Sequence, residues 1–172
     1  LANGWAGGSG AHFCVGCLVD EAGDDLHRVT QNWGPGYGHD FTVGIACDLA
    51  GNDRYECAVG CGHSINRSVG MLLDGQGDDV YAITTAGGRP GMAPLDPRIL
   101  DRSGKTSLYW TESTSLGLFV DAGGKDLYPE GFADDGTHVD PPGSDAVRGR
   151  HFGIAVDRAA GRLDVARPSG RR

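Results

Sequence analysis

The sequence predicts an all-β protein, specifically a right-handed parallel β-solenoid of about five to six coils of 26–28 residues. Three observations predict it: a 13-residue segment recurs, glycine accounts for 30 of 172 residues, and aromatic residues make up only 8%. Recurrence at a regular period is typical of repeat architectures, and so much glycine disfavours a helical bundle. The recurring segments are 15–27, 43–55, 69–81, 116–128 and 152–164.

Each repeated segment opens with a predicted strand, as in VGMLLDGQGDDVY at 69–81. Five apolar or glycine positions bounded by turn residues indicate a short parallel strand covered on both faces. The glycine at the second position predicts that backbone or a bulky group comes close to it. The last position predicts an aromatic ladder between coils, formed by His27, Tyr55, Tyr81 and Tyr128.

The alternation of side chains along a strand predicts which positions face outward. If the first, third and fifth positions fill the interior, the fourth position lies outside. An exposed apolar column needs a cover, so it predicts self-association or a partner protein. The members of this column are Leu18, Ala46, Leu72, Phe119 and Ala155.

One domain over 1–172 accounts for the repeats, with two insertions expected as surface excursions. The insertions are the proline-rich 89–97 and the acidic 129–149. A degenerate copy around Asp101 fills the long gap between the third and fourth segments. The first residues resemble the second half of a repeat, so we expect a fragment or a processed product of a longer precursor, in an extracellular, periplasmic or cell-envelope location.

Composition excludes two classes of partner. The net charge of −8 and pI near 5.0 disfavour nucleic-acid binding, which requires clustered Lys and Arg. No apolar run approaches the roughly 20 residues of a membrane span.

Aspartate recurs both where each strand ends and in the following turn. Turns such as DGQGDDVYA resemble the nonapeptide of RTX-type calcium-binding repeats, and the whole unit resembles repeats of uncharacterised bacterial exported β-solenoid proteins. The RTX resemblance implies Ca²⁺ between the turns of adjacent coils, and stacked carboxylates suit the six to eight oxygens that Ca²⁺ takes. The alternative is that each Asp caps its own turn without metal.

The candidate ligands are Asp20, Asp24, Asp25, Asp48, Asp53, Asp74, Asp78, Asp79 and Asp126. The insertions are expected to break the stack after Asp79.

The five cysteines leave three alternatives open: a zinc site, a disulfide or free thiols. A zinc site would draw on Cys14, Cys17, Cys57 and Cys61, with His12 and His63 beside them. Cys57 and Cys61 could instead form a disulfide in an exported protein.

These patterns favour a non-catalytic structural or binding protein of an extracellular or envelope assembly, with calcium binding by the repeated turns and metal-free capping both open. Repeated carboxylates indicate a scaffold, whereas a catalytic site should break the repeat. The first alternative is a carbohydrate-active enzyme, a lyase or hydrolase, whose candidate residues lie in the acidic insertion: Asp134, Asp135, His138 and Asp140. The second alternative is a Cys/His metal-binding module.

Overall fold

The computed structural model describes residues 7–29, 33–85, 88–94, 114–140 and 150–159. These residues form twelve strands, numbered here in chain order. They are β1 Gly10–Ala11, β2 Val15–Asp20, β3 Leu26–Arg28, β4 Gly38–His39, β5 Val43–Asp48, β6 Arg54–Cys57, β7 Ser64–Ile65, β8 Val69–Asp74, β9 Val80–Ile83, β10 Thr114–Asp121, β11 Thr137–Val139 and β12 Arg150–Asp157.

The strands form three separate sheets. Two sheets have three strands each, in the orders β1-β4-β7 and β3-β6-β9, and the third has the order β11-β12-β10-β8-β5-β2. Strands from successive repeats pair in parallel and in register, so that Asp20 is the pairing partner of Asp48, and Asp48 is that of Asp74. β11 pairs antiparallel to β12, which makes the six-stranded sheet mixed.

The all-β prediction is confirmed, but the prediction of a right-handed parallel β-solenoid of five to six coils is wrong. The strands are only two to eight residues long and belong to three sheets, the largest of them mixed, rather than to one solenoid stack. Glycine-rich turns divide each repeat into short strands, and the acidic insertion returns as an antiparallel edge strand. The degenerate copy around Asp101 lies outside the described residues.

The prediction that the fourth strand position faces outward is also wrong. Leu72 and Phe119 at this position are 1% and 0% exposed, and they belong to the hydrophobic core. Ala46 and Ala155 are buried with them, and Leu18 packs against the same cluster. The second, fourth and sixth positions share a face, and the sixth is the aspartate that the core tyrosines contact. This face is therefore the interior, and the first, third and fifth positions turn outward.

The glycine column is confirmed as a site of close backbone approach. A Cβ on Gly44 would lie 2.3 Å from the Tyr37 carbonyl oxygen, and one on Gly70 would lie 1.9 Å from that of His63. The segment that precedes each strand thus crosses over the glycine, and no side chain fits between them.

The aromatic ladder is confirmed as well. Tyr55 and Tyr81 stack with ring centroids 4.9 Å apart, and Tyr81 and Tyr128 stack at 4.8 Å. His27 continues the ladder at 5.0 Å from Tyr55. Stacked rings of this kind contribute buried apolar area and fix the spacing between repeats.

The two insertions behave differently from each other. The first is not a surface excursion over its described part, because Pro90 and Ala93 are buried. Its backbone continues the first sheet, since Met92 accepts a hydrogen bond from the Ser64 amide at 2.9 Å. The described part of the second insertion, 129–140, is largely exposed and supplies β11.

Candidate metal centre

Two columns of aspartates run across the repeats. The strand-end column pairs in register through β2, β5, β8, β10 and β12, and the turn column follows it by a few residues. Seven of these aspartates are at most 4% exposed, and we call these seven the carboxylate row. The row consists of Asp48, Asp53, Asp74, Asp79, Asp121, Asp126 and Asp157.

In the turn column, one oxygen of each carboxylate accepts a hydrogen bond from the backbone amide of the turn aspartate one repeat earlier. The amide-to-Oδ1 distances are 2.7 Å for Asp25 to Asp53, 2.6 Å for Asp53 to Asp79, 2.7 Å for Asp79 to Asp126 and 2.9 Å for Asp126 to Asp134. The column is therefore continuous across the first insertion. The prediction that the stack breaks after Asp79 is wrong, because β8 pairs directly with β10.

The second oxygen of these carboxylates is left without a partner. Oδ2 of Asp53, Asp79 and Asp126 is buried and has no hydrogen bond among the described residues. In the strand-end column the same holds for Oδ1 of Asp48, Asp74 and Asp157. An unsatisfied buried acceptor costs about 1–3 kcal/mol, and more when charged. Turn capping thus explains one oxygen of each turn aspartate and leaves the other unexplained.

Tyrosine hydroxyls bridge the strand-end carboxylates. The Tyr55 hydroxyl donates to Asp74 at 2.7 Å, and the Tyr81 hydroxyl lies 2.9 Å from Asp74 and 2.8 Å from Asp121. A phenol carries a single proton, so Tyr81 can donate to only one of its two carboxylates at a time. The other short oxygen–oxygen contact requires a proton on the carboxyl group or a cation close by.

Burial raises the pKa of six carboxyl groups in the row, those of Asp53, Asp74, Asp79, Asp121, Asp126 and Asp157. Desolvation, together with the charges of neighbouring carboxylates, raises the pKa of Asp74 to about 7 and that of Asp79 to about 8. The same causes raise the pKa of Asp126 to about 7 and that of Asp157 to about 6. Charged carboxylates so close together in a dry environment repel each other unless protons or cations balance them.

Three groups of ligand atoms along the row have the compactness of a cation site. They are Asp53 with Asp74 and Asp79, Asp79 with Asp121 and Asp126, and Asp126 with Asp134 and Asp157. Within each group the ligand atoms lie within 4.8 Å of one another. Calcium–oxygen bonds of about 2.3–2.6 Å place ligands on opposite sides of the ion roughly 5 Å apart, so each group is compact enough to hold the ion.

Six of the nine predicted calcium ligands lie in the carboxylate row or in a group beside it. Asp48, Asp53, Asp74, Asp79 and Asp126 belong to the row, and Asp20 forms a further group with His27 and Asp48.

Three predicted ligands lie elsewhere. Asp24 and Asp78 are exposed, and each accepts a backbone hydrogen bond from the next repeat, from Asn52 and Lys125 respectively, both at 2.9 Å. Asp25 is exposed and supplies no ligand atom to any described group. The Asp24 and Asp78 side chains therefore cap the turn of the next repeat rather than their own turn.

Sequence reasoning missed four potential ligands: His27, Asp121, Asp134 and Asp157. The signal for Asp121 and Asp157 was present, because both end a repeated strand as Asp48 and Asp74 do. The expectation that the insertions interrupt the stack excludes both of them from the predicted site. Asp134 carried no such signal, since it comes from the second insertion.

The cysteines do not form a gathered metal site in the described part of the chain. All five are free thiols, and none of the described ligand groups contains a cysteine. Cys57 and Cys61 are buried with their Sγ atoms 3.7 Å apart, which is a contact rather than a disulfide. A zinc site on Cys14, Cys17, Cys57 and Cys61 stays a prediction.

No protein-family model, curated protein or solved structure matches this chain. The fold and the site define an all-β repeat protein with acidic residue groups that could hold a metal. Within the described residues, no helix has the length and apolar character needed to cross a membrane.

Proposed function

We propose that this chain is a non-catalytic binding or structural protein whose carboxylate row holds divalent cations, with calcium as the preferred ion. The observation that carries the proposal is the set of buried, unpartnered oxygens on Asp53, Asp79 and Asp126. Each of these side chains belongs to a group of three that could hold a metal ion. A cation would satisfy these oxygens and offset the repulsion between them at once.

The chemistry of the ligands favours calcium over a transition metal. The three groups along the row offer only carboxylate oxygens, and all their members except Asp134 are aspartates of the repeats. Hard oxygen ligands suit Ca²⁺, whereas imidazole and thiolate select zinc or copper. Asp79 and Asp126 each belong to two groups, so neighbouring ions would share a carboxylate.

An extracellular, periplasmic or cell-envelope location is part of the proposal. Extracellular calcium modules work with dissociation constants of about 10⁻⁴ to 10⁻³ M, and calcium at such levels would keep the row occupied. The resemblance of the turns to RTX-type repeats supports the same assignment.

We also propose that a second copy of the chain covers the outward face of the six-stranded sheet. The first, third and fifth strand positions carry apolar or cysteine side chains from β2 to β12 and no charge. Val15, Val19 and Phe152 on this face are 74%, 59% and 36% exposed. Because the chain has a net charge of −8, an uncharged face lets two copies approach without direct repulsion. Light scattering over a concentration series tests this, and a monomer at every concentration would contradict it.

Calcium binding is tested on tag-free protein treated with chelator and then titrated with Ca²⁺. A ligand that binds only the folded state adds about 2.7 kcal/mol of stability at a hundredfold excess over its dissociation constant. We expect a clear rise in melting temperature and a saturable calorimetric heat. Melting curves that coincide in calcium and chelator, together with no heat of binding, would leave the aspartates as turn caps only.

A carbohydrate-active enzyme is the second candidate, favoured by one contact in the acidic insertion. His138 Nε2 lies 3.1 Å from Asp140 Oδ1, and Arg89 forms an ion pair with the same carboxylate. Asp134 and Asp135 are engaged with the carboxylate row instead. Turnover of a glycan panel that is lost on His138→Ala, with an unchanged melting temperature, would support an enzyme. No turnover on any glycan would favour the non-catalytic function.

A further inference from the structure

Two histidines and an aspartate converge at the end of the first sheet, away from the carboxylate row. His12 directly follows β1, and His39 ends β4 with Asp40 after it. Asp40 Oδ2 lies 3.4 Å from His12 Nδ1 and 3.3 Å from His39 Nδ1. The three side chains thus bring two imidazole nitrogens and one carboxylate oxygen to a single point.

We propose that His12, His39 and Asp40 bind a transition-metal ion of the zinc class. Zinc takes nitrogen ligands at about 2.0–2.1 Å and carboxylate oxygen at about 2.0–2.2 Å in tetrahedral geometry. Ligand atoms at the corners of such a tetrahedron are about 3.4 Å apart, which matches the two distances from Asp40 Oδ2. All three ligand atoms lie within 4.8 Å of one another.

The surroundings hold the aspartate and one histidine in place. The Asn66 side-chain amide donates to Asp40 Oδ1 at 2.8 Å, which leaves Oδ2 directed at the imidazoles. The His39 ring packs against the Trp33 ring with centroids 5.4 Å apart. Partners of this kind, one layer behind the ligands, orient the side chains at metal sites.

The His12, His39 and Asp40 cluster is not repeated in the next strand of the first sheet, as expected of a specific site. Ile65 takes the place of His39 in the next strand of the sheet, and Asn66 takes the place of Asp40. The His12 side chain is 71% exposed, so water or an incoming ligand can reach a fourth coordination position. Imidazole ligands favour zinc, cobalt, nickel or copper over calcium, and this site is therefore independent of the proposed function.

Cobalt(II) is a suitable probe because its visible absorption reports coordination. Tag-free protein would be titrated with Co²⁺ in excess Ca²⁺, which occupies the carboxylate row. We expect one equivalent of bound Co²⁺ with a visible band that added Zn²⁺ displaces. His12→Ala and Asp40→Asn should each remove the band while the protein still folds and melts cooperatively in calcium. Asn accepts the left-handed backbone of Asp40, whose φ is 51°, so the second variant keeps the fold.

His138→Ala is the matched control, because His138 also contacts an aspartate but lacks a second imidazole ligand. It should keep the cobalt band. The proposal is overturned if the wild-type protein shows no band, or if the band survives His12→Ala. It is equally overturned if Asp79→Asn removes the band, since the ion would then belong to the carboxylate row.

Discussion

The stability of the metal-free protein should fall as the pH rises from about 4.5 to 7.5. Two carboxyl groups of the row have a strongly raised pKa in the folded protein, about 7 for Asp74 and about 8 for Asp79, against 3.8 for an ordinary aspartate. Between these values the folded state holds protons that the unfolded chain has released. Unfolding therefore releases protons, and raising the pH favours the unfolded state.

The size of the effect follows from proton linkage. Each extra proton held by the folded state lowers the free energy of unfolding by about 1.4 kcal/mol per pH unit. A single proton shared along the row thus removes about 4 kcal/mol between pH 4.5 and 7.5. Asp126 and Asp157 also have a raised pKa, and the fall in stability is steeper where a second carboxyl keeps its proton.

The assay is urea unfolding followed by far-ultraviolet circular dichroism, in chelator, at several pH values. Parallel samples in saturating Ca²⁺ should lose this pH dependence, because the cation displaces protons from the same oxygens and binds more tightly as pH rises. The stabilisation by calcium should accordingly be small at pH 4.5 and large at pH 7.5.

Asp79→Asn separates the two roles of this carboxylate. In chelator at pH 7.5 it should stabilise the protein by on the order of 2 kcal/mol, since the neutral amide takes up no proton on folding while its oxygen can still accept from the Asp53 amide. In calcium it should destabilise, because two ligand groups lose a shared member. Asp78→Asn is the matched control. The Asp78 side chain is exposed and accepts a hydrogen bond from the Lys125 amide, so this variant should leave the free energy of unfolding unchanged both in calcium and in chelator.

Two results would refute this reasoning. The first is a metal-free protein whose stability stays constant or increases between pH 4.5 and 7.5. The second is an Asp79→Asn variant that is destabilised equally in calcium and in chelator. Either would mean that the buried carboxylates are satisfied by contacts that exchange neither protons nor metal.

Three further predictions test the packing around the row. Gly70→Ala should lower the free energy of unfolding by about 3 kcal/mol or prevent folding, because the alanine Cβ would lie 1.9 Å from the His63 carbonyl oxygen. Urea unfolding measures this loss. At a protein concentration where the chain is monomeric, Leu72→Ala should lower the free energy of unfolding by about 2–5 kcal/mol, whereas Val15→Ala should change it by less than about 0.5 kcal/mol. In one copy of the chain Leu72 is 1% exposed and Val15 is 74% exposed, so comparable losses would reverse the assignment of faces. Tyr81→Phe should cost about 1–3 kcal/mol in chelator by the same measurement, since two carboxylates lose their contact with its hydroxyl.

The features predicted correctly are those whose cause is local. A glycine repeated at one strand position implies a close backbone, and an aromatic repeated at one turn position implies a stack. Both hold, at Gly70 and at Tyr81. The recurrence of aspartate at the strand end also placed Asp48 and Asp74 in one column, as the register shows.

The inward face of the strands could not be read from its apolar residues. All five strand positions are apolar or glycine, so the alternation that normally distinguishes two faces is missing. The deciding residue was the aspartate at the sixth position, which shares its face with Leu72 in β8. The hydrogen bonds from tyrosine to the buried carboxylates join residues that are distant in the sequence, such as Tyr55 and Asp74, which are 19 residues apart. A local sequence pattern does not predict such contacts.

The antiparallel edge strand and Asp134 were missed for a similar reason. β11 comes from an insertion that has no counterpart in the other repeats, so periodicity contains no information about its pairing. The prediction of a uniform solenoid treated that segment as a surface loop. Its antiparallel pairing covers the edge of β12 and brings Asp134 to the Asp126 amide.

The two ends of the carboxylate row differ from its middle in a way that locates the expected cations. At one end His27 replaces the tyrosine of the ladder, and its Nε2 lies 3.0 Å from Asp48. At the other end Arg158 donates to the Asp157 carbonyl. Among the described residues, no ion pair reaches Asp74 or the other row members between these ends. Basic side chains can offset charge at the ends, so the middle of the row is where a metal ion would stabilise the fold most.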